Sequence, residues 1–185
     1  VYHTKEDMIE CVNAFYEGMV QRSEEMKHHP DYKTGENYAY LGLPPCFLIF
    51  DEYVAFLEML GTKESMSLLS QLKKIVMLGR QAGYFLIVAC QRPDAKYFSD
   101  GIRDNFNFRV GLGRISELGY GMLFGSDVKK QFFQKRIKGR GYCDVGTSVI
   151  SEFYTPLVPK GHDFLQTIGS LALARQAVSD ERKEN

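Results

Sequence analysis

The sequence has no long apolar run, no signal-peptide pattern at its start and no excess of charge. No apolar stretch approaches the roughly 20 residues that a membrane-spanning helix needs. The 185 residues carry 23 Lys and Arg against 23 Asp and Glu, so the formal net charge is zero and any basic surface must be local. An apolar content of 44% and a charged content of 25% predict one globular domain of ordinary size.

Cysteine and histidine are too scattered to form a metal site of the usual spacing. No CxxC pair occurs, which argues against zinc and favours reduced thiols. The histidines also lack a ligand pattern and are expected at the surface. The residues concerned are Cys11, Cys46, Cys90, Cys143, His3, His28, His29 and His162.

The phosphate-binding pattern GxxxxGK[ST] is absent from the sequence. The nearest string, residues 141–148, has the glycine spacing but lacks the lysine and is followed by no helical pattern. It is typical of a β-hairpin instead. Gly111 and Gly113 begin a partial GxGxxG whose third glycine is replaced by Ser116, and a turn from strand to helix explains them.

The chain is organised around the stretch PPCFLIFDEY, residues 44–53. Its apolar run, Cys46 to Phe50, is typical of a strand in a parallel sheet that is covered on both faces. Asp51 and Glu52 follow at the carboxyl end of the strand, where ligands bind in such sheets. A strand ending in Asp-Glu is the Walker B pattern of nucleoside triphosphatases, although an acidic turn after a strand is the simpler alternative.

A helix and a second strand follow. The helix begins near Thr62 and ends at Gly83, and the strand Tyr84–Cys90 leads into Gln91 and Arg92. A strand, helix and strand joined by short links form a right-handed parallel unit. Gln91 is therefore expected at the same sheet edge as Asp51 and Glu52. Further predictions are an opening helix after Thr4, a strand at 108–112, a helix beginning after Ser116 and a hairpin near 140–154.

The order of these motifs resembles the motor domain of the FtsK/SpoIIIE family of DNA-translocating ATPases. The resemblance runs from residue 1 to about residue 158. It depends on PPCFLIFDEY, then LGRQAGYFLIVACQRPDAKYFSDGIRDNFNFRVGLG, then KGRGYCDVG. Within the family the chain is more similar to the versions carried by conjugative mobile elements. The implied fold is an α/β, RecA-like core with a mostly parallel sheet and helices on both faces, an incomplete P-loop NTPase domain completed by the antiparallel hairpin.

The resemblance implies a role for each matching residue. Asp51 would bind Mg²⁺ through water, and Glu52 would orient and activate the attacking water of ATP hydrolysis. Gln91 would contact the nucleotide and sense its γ-phosphate. Arg109 is the candidate for an arginine finger that acts on the next subunit's ATP, with Arg103 as runner-up. The simpler alternative for Arg109 is an arginine at the edge of a strand.

Two departures from the family pattern matter. Walker A lies upstream of these motifs in the family, so the chain resembles the later portion of the motor and is expected to hydrolyse no ATP by itself. Cys90 stands where a threonine is more usual. The implied partners are double-stranded DNA and copies of the same subunit in a ring, a hexamer by resemblance. The implied location is the cytoplasm, at the inner face of the membrane, with any membrane link outside this chain.

Three interpretations stay open beside the motor. They are a Mg²⁺-dependent nuclease that uses Asp51 and Glu52, a non-catalytic assembly module and a type IV coupling ATPase. The basic stretch 129–140, which includes Phe132 and Phe133, suits DNA contact; the favoured alternative is a solvated helix whose phenylalanines enter the core. Residues 1–162 are expected to form the motor portion and 163–185 a C-terminal helix and tail.

Overall fold

A parallel pair of strands packed against two long helices forms the first part of the structure. The computed structural model describes residues 2–92, 98, 100–126, 128, 132, 137–147 and 149–171. The elements of this first part are α1 (Lys5–Lys27), β1 (Cys46–Phe50), α2 (Tyr53–Glu58), α3 (Thr62–Ala82) and β2 (Tyr84–Val88).

Helix α1 begins at the predicted cap. The Thr4 side chain accepts a hydrogen bond from the Asp7 backbone N–H at 3.2 Å. This bond satisfies one of the donors that the first turn leaves unpaired. Val12, Met19 and Met26 recur every seventh position and are buried, so one stripe of the helix faces the core.

Helix α3 ends where the chain must turn sharply into β2. Gly83 adopts a φ of 79°, a left-handed conformation that glycine reaches without strain. Gly79, one turn earlier, lies so close to β2 that an added Cβ would overlap the Tyr84 carbonyl oxygen. The glycines therefore set the close approach of helix and strand.

An arginine of α1 fixes the amino end of the strand pair. Arg22 donates hydrogen bonds to the carbonyl oxygens of Pro44, at 2.8 Å, and Ala82, at 3.3 Å. Its guanidinium also lies 4.8 Å from the centre of the Tyr84 ring. These contacts attach α1 to the residues that begin both strands, at the end opposite the predicted site.

The two strands are parallel and in register, with Phe50 opposite Val88. Leu48 and Phe50 are buried in a core that includes side chains of α1 and α3. Phe47 and Ile49 point to the other face and are 54% and 66% exposed. Within the described residues, β1 is therefore covered on one face, because α1 and α3 pack on the same side.

The described residues between 100 and 154 form a three-stranded sheet and two further helices. The elements are α4 (Asp100–Arg103), β3 (Arg109–Leu112), α5 (Glu117–Phe124), β4 (Arg140–Asp144) and β5 (Ile150–Tyr154). β4 lies between β3 and β5, and it pairs with β3 in antiparallel register. α5 begins at the predicted cap, since Ser116 Oγ accepts from the Gly119 N–H at 3.1 Å.

A small aromatic cluster forms the core of this second sheet. Tyr120, Phe124, Tyr142 and Ile150 are buried, and Phe132 packs against them with its ring centre 4.2 Å from that of Tyr120. The interpretation that phenylalanines of the basic stretch enter the core is thus confirmed for Phe132. Phe133 and residues 129–131 and 134–136 lie outside the described residues.

The chain divides into two units, Val1–Phe153 and Tyr154–Asn185. In the second unit, residues 164–171 are helical. The sequence predicts a division after residue 162. In the described part of the chain, no helix has the length and apolar character needed to cross a membrane.

Candidate active site

The two carboxylates of the Walker B pattern directly follow β1. Asp51 is exposed and Glu52 is half-buried. Glu52 is the residue that precedes the first turn of α2, with φ −134° and ψ 85°, yet its side chain caps no backbone N–H of that helix. Ser, Thr, Asp and Asn are the usual caps at this position, and the longer Glu52 side chain does not take that role here.

Backbone hydrogen bonds extend the strand pairing into the site. The Ala89 N–H donates to the Phe50 carbonyl at 2.8 Å, and the Tyr53 N–H donates to the Ala89 carbonyl at 3.0 Å. These bonds bracket Asp51 and Glu52 and hold them beside the segment that continues to Gln91. Gln91 is exposed at this same edge. The structure thus brings Asp51, Glu52 and Gln91 to one edge of the sheet, as the parallel unit predicts.

Cys90 lies between Ala89 and Gln91, and the pKa of its thiol responds to the charge of Glu52. Burial raises the pKa of the Cys90 thiol, and the nearby Glu52 carboxylate raises it further, while a hydrogen bond from the Arg92 backbone lowers it. Burial, and then the nearby Cys90, also raise the pKa of the Tyr53 phenol. At neutral pH both groups are therefore neutral hydrogen-bonding groups beside Glu52.

The floor of the site is aromatic. Tyr53 is 1% exposed, and its ring lies 5.6 Å from that of Phe50 and 5.0 Å from that of Phe98. Tyr53 follows Glu52 directly in the chain, so the half-buried Glu52 is attached at the edge of this aromatic cluster. Asp51, by contrast, faces solvent. The environments of the two neighbouring carboxylates differ, which suits them to different tasks.

The described residues fit a magnesium ion that is bound mainly by water and phosphate. Within the described ranges, no group of three or more His, Cys, Asp or Glu residues is arranged to hold a metal. Mg²⁺ commonly binds through one or two carboxylates and keeps several waters beside substrate phosphates. The exposed Asp51 carboxylate is suited to that mode. A nuclease would need further acidic ligands beside Asp51 and Glu52. The carboxylate of Asp104 is paired with Arg103 instead, with Oδ1 3.3 Å from Nε, and Asp94 lies outside the described residues.

Arg109 lies in the second sheet and is held within the chain. Its Nη2 is 2.7 Å from Asp144 Oδ2, and its Nη1 donates to the Leu123 carbonyl at 3.2 Å. The arginine and aspartate side chains are 19% and 4% exposed. The guanidinium therefore stabilises the contact between β3, β4 and α5. A trans role for Arg109 stays a prediction and would require this pair to open.

Sequence reasoning missed three contributors to these two regions. Tyr53 was not expected to form the floor, although its position directly after Asp-Glu and before an apolar segment is a usable signal. Ala89 contributes through backbone hydrogen bonds to Phe50 and Tyr53, and no side-chain pattern in the sequence predicts them. Asp144, the partner of Arg109, is 35 positions away in the chain, and only the pairing of β3 with β4 brings the two together.

Comparison with solved structures defines the fold. The chain matches the pCW3 conjugation coupling protein TcpA, a monomer form with ATPγS, with a TM-score of 0.64 and 17% identity over 82% of this chain and 44% of that one. It matches the cytoplasmic domain of the Thermomonospora curvata type VII secretion ATPase EccC with a TM-score of 0.61 and 20% identity, over 88% of this chain and 19% of that one. The predicted fold class, an incomplete RecA-like α/β core, is confirmed.

Comparison with curated proteins defines the relationship. No family model matches the chain. The chain is 56% identical over 168 residues to the FtsK domain-containing protein YdcQ of Bacillus subtilis (strain 168). The match covers 91% of this chain and 35% of the relative, so the chain spans about a third of that protein. The two are homologues across this region, which confirms the predicted resemblance to the FtsK/SpoIIIE family.

Proposed function

We propose that this chain carries the hydrolytic edge of an ATP-driven motor subunit that translocates DNA. The observation that carries the proposal is the parallel register of β1 and β2, which brings Asp51, Glu52 and Gln91 to one edge. Homology to an FtsK domain-containing protein supports it. The working protein is longer than this chain, and its subunits form a ring, a hexamer by resemblance.

The environment of each residue suggests its role. Asp51 is exposed and would bind Mg²⁺ through water. Glu52 is half-buried next to the aromatic residue Tyr53 and would accept a hydrogen bond from the attacking water and orient it. Gln91 would donate to a γ-phosphate oxygen and so distinguish ATP from ADP. The bound nucleotide supplies the phosphoanhydride bond that is hydrolysed.

The phosphate-binding half of the site comes from outside these 185 residues. The chain contains no GxxxxGK[ST] pattern, and the similar fold solved with ATPγS is less than half covered by it. We therefore expect negligible ATP hydrolysis by the isolated chain. A positioned carboxylate alone cannot hold the triphosphate in line with water.

Double-stranded DNA is the proposed substrate, and transfer of conjugative DNA is the proposed setting. The name of the similar coupling protein TcpA and the motif resemblance support the setting. Lys138 and Arg140 are exposed in the described part of the basic stretch and are suited to contact phosphates. The motor would act in the cytoplasm at the inner face of the membrane, with any membrane link in regions outside this chain.

Two residues are candidates for the arginine finger that would act on the neighbouring subunit's ATP. Arg109 is engaged by Asp144 and the Leu123 carbonyl, whereas Arg103 lies on α4, where its Nε is 3.3 Å from Oδ1 of the exposed Asp104. Mixing experiments separate the two. A subunit that lacks a true trans arginine restores hydrolysis when mixed with a Glu52→Gln subunit, because each supplies what the other lacks.

The central test uses a chimaera in which this chain replaces the matching 168 residues of the Bacillus subtilis relative. Glu52→Gln is expected to lower ATP turnover by about 100-fold or more, since a positioned base contributes about 10²–10⁴ in rate. ATP affinity should stay within about threefold. Glu10→Gln makes the same chemical change on the exposed side of α1 and is the matched control.

Two outcomes would contradict the proposal. Turnover that survives Glu52→Gln would remove Glu52 from the hydrolytic site. A chimaera that assembles rings but hydrolyses no ATP with Glu52 intact would favour the non-catalytic assembly module. Phosphate release and ATP binding are measured on the same preparations.

A further inference from the structure

The segment that carries Gln91 leaves the strand pairing just before the candidate active site. β2 ends at Val88, and Ala89 makes the last backbone hydrogen bonds to the segment that follows β1. Within the described residues, no further backbone-to-backbone hydrogen bond fixes residues 90–92, where the chain bends. Another contact is therefore needed to hold Gln91 in one orientation at the edge of the sheet.

The Cys90 side chain supplies such a contact. Its sulfur accepts a hydrogen bond from the backbone N–H of Arg92, two residues further along the chain. Ser and Thr hydroxyls form the same local turn with a backbone N–H two residues on, and a thiol sulfur is a weaker acceptor of the same kind. The bond closes a small turn whose central residue is Gln91.

The thiol that closes this turn is itself held on the core side. Leu86 and Val88 pack against the core, and the alternation of side chains along β2 places Cys90 on the same side. Cys90 is half-buried, and its thiol lies close enough to the Tyr53 phenol to contribute to the raised pKa of that group. Tyr53 is 1% exposed, whereas Gln91 is exposed. The turn thus has one buried end and presents Gln91 outwards.

We propose that Cys90 is a positioning residue whose sulfur holds the turn that presents the Gln91 amide to the γ-phosphate of ATP. The inference rests on the proposed function, in which Gln91 distinguishes ATP from ADP. Cys90 acts through Gln91 and not on the nucleotide directly. The backbone bonds of Ala89 set how far this segment lies from Glu52, and the Cys90 bond sets how Gln91 is turned.

The test compares two variants of nearly equal shape in the chimaera described above. Cys90→Thr keeps an acceptor for the Arg92 N–H, and Cys90→Val puts a methyl group in its place. Gln91→Ala is the reference for lost recognition of the γ-phosphate. The measurements are kcat, KM and the ratio of the dissociation constants for ADP and ATP. Thermal unfolding of the 185-residue forms checks that the two variants at position 90 are equally folded.

The acceptor at position 90, and not the sulfur as such, should decide the result. Cys90→Thr should keep kcat and the ADP-to-ATP ratio within about threefold of the original values. Cys90→Val should lower both by about tenfold or more, because a small misplacement of a contacting group has a large effect on rate. Added to Gln91→Ala, Cys90→Val should lower the ratio by less than about threefold more, since both changes remove the same contact. Equal behaviour of the threonine and valine variants, or full additivity, would overturn the inference.

A second measurement detects the turn without ATP hydrolysis. Hydrogen exchange of the Arg92 amide is followed by NMR in the 185-residue chain. The amide should exchange about fivefold or more faster in Cys90→Val than in Cys90→Thr or the original chain, because only the valine variant lacks an acceptor. Equal exchange in all three forms would overturn the inference whatever the chimaera does.

The outcomes separate this inference from the proposed function. If Gln91→Ala leaves the ADP-to-ATP ratio unchanged, the proposed role of Gln91 is wrong and the role of Cys90 is wrong with it. If Gln91→Ala lowers the ratio and Cys90→Val does not, only the role of Cys90 is wrong. A lowered ratio in both variants, restored by Cys90→Thr, supports the two together. A general loss of stability would not be restricted to ATP in this way.

Discussion

The Arg109–Asp144 pair makes a sharp prediction about stability. Arg109→Met keeps most of the aliphatic stem and removes the guanidinium. Asp144, which is 4% exposed, would keep the hydrogen bond from the Gly146 N–H at 2.9 Å but lose its charged partner at 2.7 Å. The Leu123 carbonyl would lose a donor as well. The variant therefore leaves a buried carboxylate without a counter-charge.

The size of the effect follows from burial. Removing one partner of a buried ion pair costs about 3–5 kcal/mol of unfolding free energy. The arginine side chain is 19% exposed, so water screens part of the interaction and we expect about 2–4 kcal/mol. This is a large part of the roughly 5–15 kcal/mol that stabilises an ordinary domain.

Urea unfolding of the 185-residue chain measures the effect through the transition midpoint at an unchanged slope. Arg114→Met is the matched control, because Arg114 is exposed, and a change within about 0.5 kcal/mol is expected. Asp144→Asn combined with Arg109→Met completes a double-mutant cycle and should cost less than the sum of the single changes. Equal effects of the two arginine variants, or strict additivity in the cycle, would refute the structural role of the pair.

Three smaller changes test the site edge and the contact between α3 and β2. Glu52→Gln removes one of the two causes that raise the pKa of Cys90, so the thiolate fraction and the rate of iodoacetamide modification at pH 7–8 should rise; an unchanged rate would mean that the two groups are not close. Gly79→Ala should destabilise the chain by about 1–3 kcal/mol, because the methyl group would meet a backbone oxygen of β2. Gly121→Ala, with open space around the added methyl group, should stabilise it by up to about 1 kcal/mol, and similar effects of the two alanines in thermal unfolding would contradict the close approach.

The positions of β1, α3 and β2 were predictable because local signals agree with one another there. The apolar runs, the Gly83 turn and the short links require no knowledge of distant contacts, and they place Asp51 and Gln91 at one edge. The Thr4 and Ser116 caps were also predictable, since each depends on a residue only three positions away. The short helix α2 was missed, because six residues are too few to show a helical period.

The exposed face of β1 and the Arg109–Asp144 pair were not predictable, for a different reason. The apolar sequence of Cys46–Phe50 predicts that both faces of the strand avoid water. It does not predict which residues cover each face. The pair of Arg109 with Asp144 depends on which strands become neighbours, and β3 and β4 have no local signal for their pairing. Long-range contacts of this kind become visible only when the topology is known.

The main-chain bonds that bracket the site have a consequence for how its chemistry changes between relatives. Ala89 bonds to Phe50 and Tyr53 through backbone atoms alone, so the spacing between Glu52 and residues 90–91 does not depend on the side chain at position 90. A cysteine, a serine or a threonine there would experience the same carboxylate from the same distance. A substitution at position 90 can therefore adjust the reactivity at this edge without rebuilding the sheet.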